Sequence, residues 1–181
     1  MTAEEFLGGP EAERGRPWNL VGGEVVVTDP AALHGHVQGN LFFALEEWVR
    51  GGTDRGHAVW PRDIAIDDVN VFAPDVLWYR HGRLPDPTSP PPYAMPDLAV
   101  EVRSPSTWRY DIGAKKSAYE RHGLPELWLV DTPAETVLVY RRSKSDSARF
   151  DVALELDAGA QLTSPLLPGF GLPVAQIFAV H

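Results

Sequence analysis

"PDLAVEVRSPSTWRYDIGAKKSAYERHGLPELWLVD", residues 96–131, decides the fold class. Its opening alternates, with Leu98, Val100 and Val102 on one face and Asp97, Ala99, Glu101 and Arg103 on the other, which is the two-residue period of a strand. Pro105 breaks the chain, and Ser106 or Thr107 is placed to cap a helix beginning just after it. Trp108 to His122 is expected to be that helix, stopped by Gly123 and Pro125. "ELWLVD" then returns as a second strand. A strand, a helix and a strand in succession make an α/β unit. The open question is whether its charges form a site or only its solvated side.

Working outward, "WNLVGGEVVVTDP" is two apolar runs about Gly22 and Gly23 and reads as an N-terminal β-hairpin. Leu33, Val37, Leu41, Leu45 and Trp48 or Val49 recur at helical spacing and predict the first helix, ending at Gly51 and Gly52. Short β-prone pieces come next at His57 to Trp60, Ile64 to Ile66 and Asn70 to Tyr79. The proline-rich run from Arg80 to Met95 excludes regular structure and is expected to be an exposed loop that borders the site. Beyond residue 131, "TVLVYRR" and "RFDVALEL" read as strands, and "LLPGFGLPVAQIF" as a loop with a short closing helix. No repeat or linker divides the chain, so residues 1–181 are expected to form one domain.

The chain has no cysteine, which excludes disulfides, zinc–thiolate centres and cysteine nucleophiles. Any metal would take oxygen or imidazole ligands, and a hard cation such as Mg2+ (or Mn2+) is the natural candidate. The formal net charge of −9 argues against binding driven only by phosphate contacts, although Arg141, Arg142 and Lys144 form a local basic cluster able to meet phosphate. The acidic N-terminus lacks a signal-like apolar core, and no apolar run approaches the ~18 residues of a span. No membrane association and a cytoplasmic location are the resulting expectations.

Asp97 and Glu101 lie four residues apart on an extended strand, roughly 13 Å, too far to share a cation. Asp75 heads "PDVLWY", and if that strand pairs with the Glu101 strand the two carboxylates lie about 5 Å apart. Arg103 projects from the Glu101 face and could hold a phosphate. A helix running back along the strand returns roughly 12 Å in the eight residues from Thr107 to Lys115, level with Glu101. Carboxylates for a metal and a cation for developing charge are what phosphodiester hydrolysis needs. Against this, Asp111 and Lys115 are also an ordinary i,i+4 pair. His34 and His36, two apart on a helix, point to different faces and cannot both chelate. Trp108, Tyr119 and Trp128 read as packing residues. No Ser-His-Asp spacing or phosphate-cradling glycine loop is present.

The 96–131 block, with "TAEEFLGGPE", "LVGGEVVV", "HGHVQGNLFFAL", "APDV" and "LLPGFGLPVAQIF", resembles the Uma-type family of restriction endonucleases within the PD-(D/E)XK nuclease superfamily. The resemblance implies a restriction-endonuclease-like fold of α/β (α+β) type, a mixed central sheet flanked by helices. It implies that Asp75 is the aspartate of the "PD" element and Glu101 the second acid, together holding the metal. The superfamily lysine position falls on Arg103 here, and Lys115 resembles a lysine migrated to the helix. Arginine keeps the charge but stays protonated, so it cannot act as a general base. Glu46 or Glu47 resembles the auxiliary glutamate of the first helix, and Asp97 a structural cap at the strand entrance.

The resulting expectation is a Mg2+-dependent DNA endonuclease carried by Asp75, Glu101, Lys115 and Arg103. A homodimer is expected, since cutting both strands of a duplex favours two-fold symmetry. The rival is a noncatalytic nuclease-fold module for nucleic-acid or protein binding, favoured by the net negative charge and by arginine at position 103.

Overall fold

The computed structural model describes residues 1–9, 18–27 and 31–180. Thr28 to Pro30 at the end of the hairpin stretch, and Pro10 and Glu11 within the N-terminal "TAEEFLGGPE", lie outside them. The elements in order are α1 (Ala3–Leu7), β1 (Trp18–Val21), β2 (Glu24–Val27), α2 (Ala32–Arg50), β3 (His57–Val59), β4 (Ile64–Asp67), β5 (Asn70–Phe72), β6 (Val76–Tyr79) and β7 (Leu98–Val102). Then come α3 (Trp108–Tyr110), a π-helical turn (Asp111–Lys115), α4 (Lys116–Arg121), β8 (Glu126–Asp131), β9 (Thr136–Arg141), β10 (Val152–Leu156), β11 (Gln161–Leu162), β12 (Leu172–Pro173) and α5 (Val174–Ile177).

The main sheet has six strands in the order β10-β9-β8-β7-β6-β3. The pair β7 and β8 is parallel and the other pairs are antiparallel, so the sheet is mixed as expected. The parallel pair is joined by the helical segment 108–121, the crossover that parallel strands require. A second sheet has the order β2-β1-β5-β4 and contains the predicted hairpin. Gly22 and Gly23 both have positive φ, +58° and +83°, as a two-residue hairpin turn of this hand demands.

Residues Asn70 to Tyr79 are not one strand. β5 belongs to the small sheet and β6 to the large one, and Ala73, Pro74 and Asp75 form the corner between them. Pro74 has no N–H to donate, which favours a break there. Asn19 on β1 pins the corner by accepting from the Ala73 N–H at 2.9 Å.

All five residues of β7 are buried, so neither face of this strand is solvated. One face packs Val76, Trp78, Val100, Val102 and Trp128 against Leu41 and Leu45 of α2 and against the C-terminal tail. The other packs Leu77, Ala99 and Leu129 against Tyr119, Ala118 and the small sheet. Glu101 alternates onto this second face and is therefore a carboxylate inside a core.

Several boundaries differ from the sequence reading. In α2 the buried stripe is His34, Val37, Leu41 and Leu45, while Leu33 is exposed. A strict four-residue repeat drifts about 40° per step around a helix, and a three-residue step from 34 to 37 corrects it. Trp108 to His122 is not one α-helix, because Asp111–Lys115 widens into a π turn. Thr107 occupies the N-cap position without accepting a capping bond; its hydroxyl serves Ser104 and Asp111 instead. The last large strand starts at Val152 rather than Arg149, while the short closing helix is present as α5.

The proline-rich loop is largely exposed, as expected, but it does not border the Asp75 and Glu101 corner. It joins the end of β6 to the start of β7, whereas Asp75 precedes β6 and Glu101 is near the end of β7. In an antiparallel pair these are opposite ends, roughly 13 Å apart over four residues. Asp97 anchors the loop. Its carboxylate is 1% exposed, accepts from the Arg80 N–H at 3.0 Å and pairs with Arg80 Nε at 3.0 Å and Arg83 at 2.5 Å. The expected structural role of Asp97 follows from these bonds. Asp97→Ala is expected to destabilise the protein by about 1–3 kcal/mol, the usual worth of a hydrogen bond to a charged acceptor, since both arginine side chains are half-exposed and rehydrate. Urea unfolding against wild type measures this, and an unchanged midpoint would contradict the anchor.

Candidate active site

Antiparallel pairing of β6 and β7 sets Val76 opposite Val100, which puts Asp75 beside Glu101. Asp75 extends the ladder by donating its N–H to Val100 O at 2.9 Å. Its Oδ2 accepts from the Val102 N–H at 2.7 Å, so the carboxylate is locked to the end of β7. Its Oδ1 faces His34 Nε2 at 3.3 Å, and Gln38 donates to its carbonyl at 2.8 Å. The first turns of α2 thus hold Asp75 from the other side.

Lys115 and Glu101 are in contact. Nζ lies 2.6 Å from Glu101 Oε2 and 3.0 Å from Asp111 Oδ1, with Lys115 only 3% exposed. Tyr119 donates its hydroxyl to Glu101 Oε1 at 2.8 Å. Thr107 donates to Asp111 Oδ2 at 3.1 Å. The π turn matters here, because Asp111 and Lys115 are its first and last residues and both are buried. Such turns recur at functional sites, where the extra residue re-aims side chains.

The electrostatics follow from burial. Burial raises the Glu101 pKa, the Lys115 ammonium opposes it, and the Asp111 and Asp75 charges add to the rise. Burial alone would lower Lys115, yet the facing carboxylates of Asp111 and Glu101 hold it above its ordinary value. Lys115 therefore stays an ammonium. His34 is likewise raised: burial, the largest single influence, disfavours its charge, but the bond to Asp75 and the charges of Asp75 and Glu101 together outweigh it. Three carboxyl groups, Asp75, Glu101 and Asp111, surround one full cation, so the cluster is short of positive charge.

A small polar cavity of about 10 Å³ lies among His34, Asp75, Glu101, Thr107 and Lys115. That is near the roughly 10–15 Å³ needed for one water, and so suits one small ion or solvent molecule. Among the described residues, no three His, Asp or Glu side chains form a ready-made metal cage. The donor set still fits Mg2+, which is held by one or two carboxylates and keeps its remaining ligands as water and phosphate. Asp75 and Glu101 could supply those two carboxylates, each oxygen having a second lone pair beyond its present partner.

Arg103 is not in this cluster. Past the end of β7, its NH1 meets both carboxylate oxygens of Asp131 at 2.8 and 2.9 Å, and its guanidinium lies 5.3 Å from the Trp108 ring. Glu46 and Glu47 are also not brought to the site. Glu46 pairs with Arg50 on the surface, and both lie at least twelve residues, roughly 18 Å, along α2 from His34. Proximity on that helix belongs to its N-terminal turns, which carry His34 and Gln38.

Two site residues escaped the sequence reading, and both had a signal. His34 sits on the apolar stripe of α2 where a leucine would be unremarkable. Tyr119 continues the row Asp111, Lys115 at four-residue spacing, so it shares their face. His36 is exposed, which agrees with the expectation that the two histidines do not act together.

Comparison with known proteins places this geometry in context. The family model Uma2, described as "Putative restriction endonuclease", matches residues 3–175. No curated protein matches the chain. Among solved structures, a protein from Anabaena variabilis ATCC 29413, titled a putative nuclease belonging to DUF820, superposes with a TM-score of 0.79. It is 20% identical, over 98% of this chain and 97% of the other, a likeness that shows a shared fold. The family match spans nearly the whole chain, and with it this protein belongs to the Uma2 family of restriction-endonuclease-like proteins.

Proposed function

We propose that the protein is a divalent-metal-dependent DNA endonuclease that hydrolyses phosphodiester bonds. The observation that carries this reading is the buried contact of Lys115 Nζ with Glu101 Oε2 at 2.6 Å, beside Asp75 on the adjoining strand. Two acids and a lysine at one sheet corner match the acid–acid–lysine arrangement implied by the family. Asp75 and Glu101 would hold Mg2+ or Mn2+. When bound, such a cation supplies Lewis acidity and lowers the pKa of water.

The chain's own residues do the rest. Lys115 places a fixed positive charge beside the carboxylates, where a phosphate oxygen gains negative charge in the transition state. Asp111 and Tyr119 hold Lys115 and Glu101 in place. The Val102 N–H and His34 fix the rotamer of Asp75. Arg103, steadied by Asp131, is available to a flanking phosphate but remains protonated and cannot serve as base. The restriction-endonuclease description of the family favours DNA as substrate. Double-strand cleavage by one such site per chain favours a homodimer. No described helix is long and apolar enough to cross a membrane. We assign the activity to the cytoplasm, where DNA is accessible.

One observation favours the noncatalytic module. All four oxygens of Asp75 and Glu101 already face donors of the chain, an arrangement that a purely structural ion cluster would also show. A plasmid assay decides between the two. Purified protein is expected to nick supercoiled DNA with Mg2+ or Mn2+, to stop on addition of EDTA, and to lose activity in Glu101→Gln. No nicking with either metal by folded protein would leave the module reading.

Lys115 and Arg103 separate by chemistry. Lys115→Met is expected to reduce turnover about a hundredfold, the usual scale for one transition-state electrostatic contact, while Arg103→Lys keeps a substantial part. Full nicking activity in Lys115→Met would remove Lys115 from the mechanism. The same variant is expected to lose roughly 3–5 kcal/mol of stability, because two buried carboxylates lose their shared counter-ion. Adding Glu101→Gln to it should recover part of that loss in urea unfolding.

A further inference from the structure

The face of the large sheet turned away from Glu101 carries a second gathering of charged and aromatic groups. Trp78, Leu98, Glu126 and Arg141 are register partners across β6, β7, β8 and β9 and form one transverse row. Leu98 is three residues before Glu101, so this row lies on the opposite face and roughly 10 Å along the strand.

Two cavities open over the row. One, of about 240 Å³, is bordered by Glu126, Arg141 and Lys144; the other, of about 540 Å³, by Trp48, Arg55 and Trp78. Arg80, Pro165 and Leu166 line both, so the two cavities adjoin, and taken together they are a groove with two ends.

The smaller end is cationic. Arg141 donates only to Thr163 O, at a long 3.5 Å, and its Nε is buried without an acceptor. The Lys144 ammonium has no hydrogen-bond or ion-pair partner among the described residues. Arg142, the third member of the basic cluster, is spent on the carbonyls of Leu124, Ser147 and Glu120. Glu126 on the floor is 1% exposed, and its oxygens accept from Trp128 Nε1 at 2.7 Å and Ser164 Oγ at 2.8 Å. Burial raises its pKa, and the Trp128 donor, the Arg141 charge and the Ser164 donor oppose the rise.

The larger end is aromatic. The Arg55 guanidinium lies 4.9 Å from the Trp48 ring centre, and Trp78 stands edge-on to Trp48 at 6.3 Å. A guanidinium layered on an indole is a flat surface of the kind on which nucleobases stack.

A ligand that fills both ends must pair an anionic group with a flat aromatic one. We infer that this groove binds a nucleoside phosphate, with the phosphate on Arg141 and Lys144 and the base against the Arg55–Trp48 layer. The cationic end is smaller than the roughly 300–1,000 Å³ of a site for a drug-sized ligand, which suits a single phosphate group. A free mononucleotide and the 5′ end of a nucleic-acid strand present the same chemistry. The site is independent of the nuclease reading, since it shares no residue with the Asp75 and Glu101 corner.

Isothermal titration in EDTA with AMP, adenosine, and a short single strand with or without a 5′-phosphate tests the assignment. Wild-type protein is expected to bind AMP, the 5′-phosphorylated strand or both, and the probe that binds identifies the source. Adenosine should bind at least tenfold more weakly than AMP if AMP binds. Lys144→Ala, a surface change, and Arg55→Ala, which removes a half-buried side chain and is checked for native stability by urea unfolding, should each weaken the bound probe about tenfold. Glu101→Gln should bind it like wild type, so a failed nuclease assay leaves this result standing. Failure of folded wild-type protein to bind either phosphorylated probe would overturn the inference. So would full affinity in the Lys144→Ala/Arg55→Ala double variant, or loss of binding in Glu101→Gln.

Discussion

Lys115 holds two carboxylates out of water, Glu101 at 2.6 Å and Asp111 at 3.0 Å, at a point where all three groups are almost completely buried. Burying a single charge costs several kcal/mol, and the pairing must repay it. Much of the surrounding architecture can be understood as meeting that condition. The π turn brings Asp111 and Lys115 inward together, Tyr119 and Thr107 fill remaining acceptor positions, and the small sheet closes the face that would otherwise admit solvent. A core of apolar residues would be easier to stabilise at this position, and the proposed chemistry supplies a reason for the charges that stability does not.

The second constraint is the corner at Ala73, Pro74 and Asp75. The chain leaves the small sheet at Phe72 and enters the large one at Val76, and Asp75 falls where neither ladder continues undisturbed. Its carboxylate therefore stands in for a missing backbone partner, accepting from the Val102 N–H. Asp75 thus ties β7 to α2, while Asn19 joins the same corner to the small sheet, and Asp75 keeps further carboxylate lone pairs toward the cavity.

Most of this was legible in the sequence wherever local periodicity carries the information. The alternation of 98–103 gave β7 its faces, the Gly22–Gly23 pair gave the hairpin, and rise-per-residue arithmetic put Lys115 level with Glu101. Three features were not legible. A π turn leaves no propensity signature, because it differs from an α-helix by a single residue of slack. The sheet switch inside Asn70 to Tyr79 depends on which partner strands are near, which is tertiary information. The distance of Glu46 and Glu47 from the site depends on which end of α2 faces β7, and periodicity fixes a helix's face but not its direction of approach.

The net charge of −9, taken as a total, weighs against a nucleic-acid partner, and its distribution changes that judgement. Residues 103–149 hold nine of the sixteen Lys and Arg but only six of the 25 Asp and Glu. That segment spans the helical crossover, β8, β9 and the turn after them, which border both the Asp75 and Glu101 corner and the Arg141 groove. The acidic excess lies in the rest of the chain. Interactions beyond a Debye length, about 8 Å at physiological ionic strength, are largely screened. A segment with this positive balance can meet a polyanion even where the total charge is negative.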